Sequence, residues 1–121
     1  MKVIEIAFTG YPVTNITRAR QFYEEVLGLK ATMVFEDGKM SWIEYDIGPG
    51  TLAITNGAPD WKPSAGGGAV ALEADDFQAA TGQLKASGAV FRVEPIETPV
   101  CRMAVISDPD GNSITIHKRK A

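Results

Sequence analysis

The chain has 121 residues, of which 45% are hydrophobic and 22% are charged, with a formal net charge of -3 and a pI near 5.1. This length and composition are typical of one compact, soluble globular domain. The negative net charge gives no electrostatic reason to bind phosphate backbones, so we expect no nucleic acid partner.

Compartment and redox chemistry are restricted as well. No segment approaches the ~18 uninterrupted apolar residues of a membrane span, and the N-terminal run lacks a small-residue cleavage site. We therefore expect a cytoplasmic protein with no membrane partner. The single cysteine, Cys101, excludes an intramolecular disulfide and lies in a strand-like run, where we expect a small buried apolar group.

The first half of the chain predicts a strand, a helix and three further strands. Residues 3–9 are rich in β-branched and apolar types and predict the first strand. Apolar side chains recur at helical spacing through residues 16–27, after several possible capping side chains, and Gly28 suits the C-terminal cap. The three following strands are predicted at residues 31–36, 40–46 and 51–55.

The second half repeats this order. A strand at 68–74 precedes capping aspartates and a helix that ends before Gly88, which follows Gly28 by 60 positions (88 − 28). The last three strands are predicted at residues 90–94, 100–107 and 113–117. Neither copy could bury both its helix and its sheet alone, so we predict an α+β fold of two βαβββ modules sharing a core in one domain. The modules are predicted at about 1–56 and 68–121, with a linker at 57–67.

Two motifs at opposite ends of this repeat resemble a known family. The run TRARQFYEEVLGL at 17–29 looks like the first helix of the vicinal oxygen chelate superfamily, and DPDGN at 108–112 is similar to its last turn. That superfamily includes glyoxalase I, extradiol dioxygenases and bleomycin resistance proteins. The resemblance implies a curved eight-stranded sheet around a U-shaped cavity for a small-molecule ligand, in a homodimer. It leaves the function open, since members include both enzymes and antibiotic-binding proteins.

The resemblance also implies where a metal would bind. Enzymes of the superfamily usually hold one divalent ion with His and Glu side chains from matching strands. Transferred one by one, these positions fall at Phe8, Ala53, Ala69 and Thr115, although a bulge near Gly10 would shift the first. Phenyl, methyl and hydroxyl groups cannot replace imidazole and carboxylate ligands, so we predict neither a metal nor another cofactor.

Strand alternation nominates further cavity residues. Thr55, Glu73 and His117 lie two residues or a multiple of two from the transferred positions. If Ile43 and Tyr45 pack under the first helix, then Trp42 and Glu44 face the cavity. If Cys101, Met103 and Val105 pack under the second helix, their neighbour Arg102 faces it. We thus predict these ligand contacts, with Trp61 as a further wall: Phe8, Trp42, Glu44, Ala53, Thr55, Ala69, Arg102 and Thr115.

These residues support more than one function. A metal-independent protein that binds a partly aromatic or cationic molecule is the favoured hypothesis. The alternative is a metal-free or atypical lyase, isomerase or dioxygenase-like enzyme, in which His117 or Glu73 transfers a proton while Arg102 holds a substrate carboxylate. Each of these residues also has a purely structural interpretation. His117 could be an exposed strand end, Glu73 an edge residue or a partner of Arg102, and Trp42 a core residue. A vestigial cavity in an interaction protein is the third possibility.

Overall fold

The computed structural model describes Lys2 and residues 4–120, and the chain divides between Pro63 and Ser64 into two compact units. Helix α1 spans Ile16–Arg20 and continues as a π-helical segment, Gln21–Val26, and helix α2 spans Phe77–Ala86. Strands β1 to β8 span Thr9–Pro12, Met33–Asp37, Met40–Ile47, Gly50–Thr55, Val70–Glu73, Val90–Glu97, Cys101–Ser107 and Ser113–Arg119. In the described part of the chain, no helix is both long and apolar enough to span a membrane.

The two units have the same topology. The strand order is β1-β4-β3-β2 in the first sheet and β5-β8-β7-β6 in the second. In each, the first strand runs parallel to the last, and the other neighbours are antiparallel. The predicted α+β class with two βαβββ modules is therefore confirmed. The eight strands form two four-stranded hydrogen-bonded sheets and not one continuous ladder.

The predicted first strand is placed wrongly. Residue 3 lies outside the described residues, and residues 4–8 form no strand; β1 begins only at Thr9. Thr9 lies opposite Leu52 in the parallel pair, and β4 begins two residues before Leu52, so residues 4–6 have no partner strand. The register from Thr9 to Pro12 is continuous, with no bulge.

Both helices have the capping residues that the sequence predicts at their two ends. Asn15 caps the start of α1 by accepting a hydrogen bond from the Arg18 amide, and Asp76 accepts the equivalent bond from Ala79 in α2. Gly28 and Gly88 follow the two helical segments with φ of 73° and 80°, the left-handed conformation that an L side chain rarely adopts. The duplication is thus visible in the backbone as well as in the sequence.

The core of the first unit lies between its helix and one face of its sheet. Ile43, Tyr45, Leu52 and Ile54 are buried on that face. The Tyr45 ring stacks on Tyr23 with centroids 6.0 Å apart, which places these residues beneath the helical segment. The condition under which Trp42 and Glu44 point to the opposite face is therefore met.

In the second unit, the helix covers the face of β7 that carries Ala104 and Ile106. Ala104, Ile106, Ile114 and Ile116 are buried. Phe91 lies opposite Ile106, and Lys85 of α2 places its Nζ 4.9 Å from the Phe91 ring centroid, so this face is the one beneath the helix. The condition under which Arg102 points to the opposite face is therefore not met, because alternation turns Cys101, Met103 and Val105 to the helix-free face.

Candidate functional site

The helix-free face of the first sheet carries several of the predicted ligand contacts. Glu44 lies opposite Ala53, and Trp42 lies opposite Thr55. Ala53 also lies opposite Gly10 of β1, so Gly10, Ala53 and Glu44 form one row across three strands. Since paired residues share a face, strand pairing brings Trp42, Glu44, Ala53 and Thr55 together on this surface.

An aromatic and acidic cluster stands on this face. The Trp42 indole nitrogen donates a hydrogen bond to Glu44 Oε2 at 2.8 Å. Phe8 packs edge to face against Trp42, with ring centroids 5.2 Å apart and an interplanar angle of 86°. Trp42 is half-buried and Phe8 is exposed, so neither is an ordinary core residue.

The Glu44 carboxylate has no cationic partner among the described residues. It is half-buried and accepts the Trp42 bond, but it forms no ion pair with any of the described residues. Asp37 and Asp46 lie on the same face, and none of its strand residues is a lysine or arginine. The face is therefore negatively charged and suits a positively charged group.

The helix-free face of the second sheet brings His117 and Glu73 together. His117 lies opposite Glu73 of β5 and Met103 of β7. Its Nδ1 is 2.5 Å from Glu73 Oε1, and its side chain is 24% exposed. His117 is thus neither a solvated strand end nor isolated from the other proton-transfer candidate.

A backbone bond holds the second Glu73 oxygen. The Arg119 amide donates to Glu73 Oε2 at 2.6 Å. This bond, followed by the one from His117, lowers the pKa of the Glu73 carboxyl. The carboxylate form of Glu73 is therefore favoured, and its contact with Nδ1 fixes the orientation of the His117 imidazole.

The structure does not place Arg102 beside these residues. Arg102 lies opposite Lys118, on the side of the sheet that α2 covers further along the strands, and it is exposed. Its Nε donates to Glu97 Oε1 at 2.9 Å, so its partner in this hydrogen bond is Glu97 and not Glu73. Arg102 was predicted to face the cavity only if Cys101, Met103 and Val105 packed under the second helix, and they do not.

Arg92 is a second arginine of this unit that the sequence analysis did not nominate. The β6–β7 register shifts between Phe91 and Val93, which makes Arg92 the extra residue of a bulge. Its Nε donates to Ser107 Oγ at 2.6 Å, and it forms no ion pair within the described part of the chain. Arg92 differs from the other residues of β6 by its place in the bulge. The sequence of β6 contains no pattern that predicts this bulge.

The positions transferred for a metal do not fit one. Ala53 is buried, Thr115 is half-buried, and Phe8 and Ala69 lie just before β1 and β5. None offers an imidazole or a carboxylate. Over residues 4–120, no group of three His, Cys, Asp or Glu side chains is placed to hold a metal ion.

Comparison with known proteins identifies the family of the chain. The family model of the Glyoxalase/Bleomycin resistance protein/Dioxygenase superfamily matches residues 5–116. The lactoylglutathione lyase of Haemophilus influenzae is 24% identical over 128 residues, covering 98% of this chain and 95% of the relative.

Solved structures share the fold. The crystal structure of TnmS3, an antibiotic binding protein from Streptomyces sp. CB03234, is similar with a TM-score of 0.83, 24% identity and 99% coverage of both chains. A glyoxalase/bleomycin resistance protein from the same organism is similar with a TM-score of 0.74 and 27% identity, over 94% of this chain and 100% of that one. With the family model spanning nearly the whole sequence, the chain belongs to the glyoxalase/bleomycin resistance protein/dioxygenase superfamily.

Proposed function

We propose that this chain is a metal-independent protein that binds a small molecule bearing an aromatic ring and a positive charge. The observation that carries the proposal is the half-buried Glu44 carboxylate, which is fixed by Trp42 and has no ion-pair partner among the described residues. A cation held there would pair with the carboxylate and lie near two aromatic rings.

The neighbouring residues give this site its preference. Phe8 and Trp42 supply apolar contact area, and Ala53, opposite Glu44, adds only a methyl group to this face. The additional acids of the same face disfavour anionic ligands. The likeness to an antibiotic binding protein and to a glyoxalase/bleomycin resistance protein supports small-molecule binding over a purely structural role.

A panel of three related compounds tests the charge preference. Isothermal titration calorimetry with benzylamine, benzyl alcohol and benzoate compares a cation, a neutral molecule and an anion on the same ring. We expect benzylamine to bind about tenfold more tightly than benzyl alcohol, a typical value for one partly exposed charged contact, and benzoate to bind least. Equal affinities for the three compounds would contradict the proposal.

Glu44→Gln tests the residue itself. The substitution keeps an oxygen for the Trp42 bond and removes the charge, so the preference for benzylamine should disappear while the melting temperature changes little. Glu36→Gln is the matched control, because Glu36 is an exposed acid on β2 whose side chain points to the opposite face. A loss of preference in both variants would point to a general charge effect and not to this site.

Metal independence is tested separately. The transferred positions lack ligand side chains, so we expect less than stoichiometric metal by mass spectrometry and unchanged benzylamine affinity after dialysis against EDTA. One divalent ion per chain, together with loss of binding after chelation, would refute this part of the proposal.

A metal-free enzyme is the second candidate, and the contact between His117 and Glu73 favours it. A histidine oriented by a carboxylate is a common arrangement for proton transfer. The likeness to a lactoylglutathione lyase names a first substrate to test. Turnover of lactoylglutathione that survives chelation and is abolished in His117→Gln would establish this candidate, and turnover that survives the substitution would remove it.

We also propose that the protein is a homodimer in the cytoplasm. The edge strand β2 exposes Met33, Val34 and Phe35 by 43%, 45% and 50%, which is unusual for a sheet edge that remains unpaired. Sedimentation equilibrium should give a mass near twice the 13.0 kDa of one chain. Phe35→Lys should shift it towards the monomer, and a wild-type monomer at micromolar concentration would refute the dimer.

A further inference from the structure

Gly10 occupies a position at which a side chain would collide with an aromatic ring. A Cβ atom on Gly10 would lie 2.9 Å from Cη2 of Trp61 and 3.4 Å from Cε1 of Phe8. Carbon atoms in van der Waals contact lie about 3.5 to 4.0 Å apart, so the Trp61 ring could not keep its place against an alanine.

The backbone does not explain this glycine. Gly10 is absent from the glycines with positive φ, and it lies inside β1, where glycine weakens a strand. The structure instead explains it by the close approach of Trp61, which leaves no room for a side chain at residue 10.

The two tryptophans of the chain are held differently. The Trp42 indole nitrogen is bonded to Glu44, whereas that of Trp61 makes no hydrogen bond with the described residues. Trp61 is 42% exposed and lies between β4 and β5, in a segment without helix or strand. Its ring can therefore leave Gly10 without breaking a side-chain hydrogen bond.

The position of Gly10 connects Trp61 to the proposed ligand site. Gly10 is the end of the row that continues through Ala53 to Glu44, and Ala53 is fully buried in this arrangement. A ligand that reaches over Ala53 towards Gly10 meets the Trp61 ring. Small ligands need only the space beside Glu44, whereas larger ring systems need the space that Trp61 occupies.

We infer that Trp61, seated on Gly10, is a movable cover that determines the size of the ligand admitted beside Glu44. This inference rests on the proposed function of the same face. It assigns the selection of ligand size to Gly10 and Trp61, which do not contribute to the charge preference because neither carries a charge.

Two variants and one matched control test the cover. Gly10→Ala displaces the ring, and Trp61→Ala removes it from an exposed position where loss of folding is not expected. Gly67→Ala is the control, because a Cβ there meets nothing within 4 Å and the residue belongs to the same connecting segment. Melting temperatures identify any variant that fails to fold.

The first readout needs no ligand. In a Trp42→Phe background Trp61 is the only indole, and acrylamide quenching of its fluorescence reports how far it is covered. We expect Gly10→Ala to raise the quenching constant and Gly67→Ala to leave it unchanged. If Gly10→Ala folds and leaves the quenching unchanged, Trp61 is not seated on Gly10 and the inference is overturned, whatever ligand the protein binds.

The second readout compares a one-ring cation, benzylamine, with a three-ring cation, aminoacridine, by calorimetry with Trp42 intact. Gly10→Ala and Trp61→Ala should each raise the affinity ratio of aminoacridine to benzylamine by about tenfold, the order expected for steric discrimination in an apolar pocket. An unchanged ratio with normal benzylamine binding overturns the cover and leaves the proposed function standing. If neither amine binds the wild type or the variants, both fail.

Discussion

Tyr45 donates a hydrogen bond to Glu24 Oε2 at 3.0 Å, which connects strand β3 to the π-helical segment above it. Arg20 reaches the same carboxylate oxygen, with its Nε 2.6 Å away. The Arg20 bond lowers the pKa of Glu24, and burial is the main cause that raises the pKa of the Tyr45 phenol. The charged carboxylate is thus the form that fits between the helix and the sheet.

This arrangement predicts a specific loss of stability in acid. Because the pKa of Glu24 is lower in the folded protein, its ionised form stabilises the fold above the unfolded pKa of about 4.3, and this contribution is lost as the pH falls through the folded pKa. Glu24→Gln should lower the free energy of unfolding at pH 7 by about 1 to 2 kcal/mol and flatten its decline below about pH 5.

Urea unfolding across this pH range measures both effects. Glu25→Gln is the control, since Glu25 is exposed and is in no hydrogen bond or ion pair with the described residues. An equal flattening in both variants would show that the acid dependence does not come from the Arg20, Glu24 and Tyr45 contacts.

Two glycines near the end of α2 should respond to alanine in opposite directions. Gly82 lies inside the helix with open space around a Cβ, so Gly82→Ala should stabilise the protein by about 0.5 to 1 kcal/mol. Gly88 has a φ of 80°, so Gly88→Ala should destabilise it by about 1 to 2 kcal/mol. Thermal unfolding of the pair measures the difference, and equal signs would contradict the assigned helix end.

Asp108 should be the most sensitive residue of the last turn. Its Oδ1 accepts from the amides of Asp110 and Asn112, and its Oδ2 accepts from Asn112 Nδ2, all at 2.9 Å, while only 4% of the residue is exposed. Asp108→Ala removes the acceptor of these three bonds, two of which are buried, and should cost about 2 to 4 kcal/mol. Chemical denaturation measures this cost, and exposed Asp75→Ala should change stability by less than about 0.5 kcal/mol.

The repeat was predictable because its signals are local. Helix caps and left-handed glycines depend on residues close in sequence, and Gly28 and Gly88 mark both helix ends as expected. The face of β4 was predictable as well, since Leu52 and Ile54 alternate with smaller residues.

The faces of β7 were not predictable in this way. Cys101, Met103 and Val105 are as apolar as Ala104 and Ile106, so alternation in hydrophobicity does not identify the side beneath the helix. The side is identified by Phe91, which lies opposite Ile106 and contacts Lys85 of α2, and Arg102 lies on the same side as Ile106. Strand propensity likewise favoured residues 3–9, although β4 offers no partner to residues 4–6.

The parallel pairing within each half has a consequence for folding kinetics. Thr9 pairs with Leu52, 43 residues later (52 − 9), and Val70 pairs with Ile114, 44 residues later (114 − 70). Each strand pairs only with strands of its own half of the chain. The longest loop that strand pairing must close is therefore about a third of the chain length. The rate of folding should therefore be limited by two closures of similar entropy, each made within its own half.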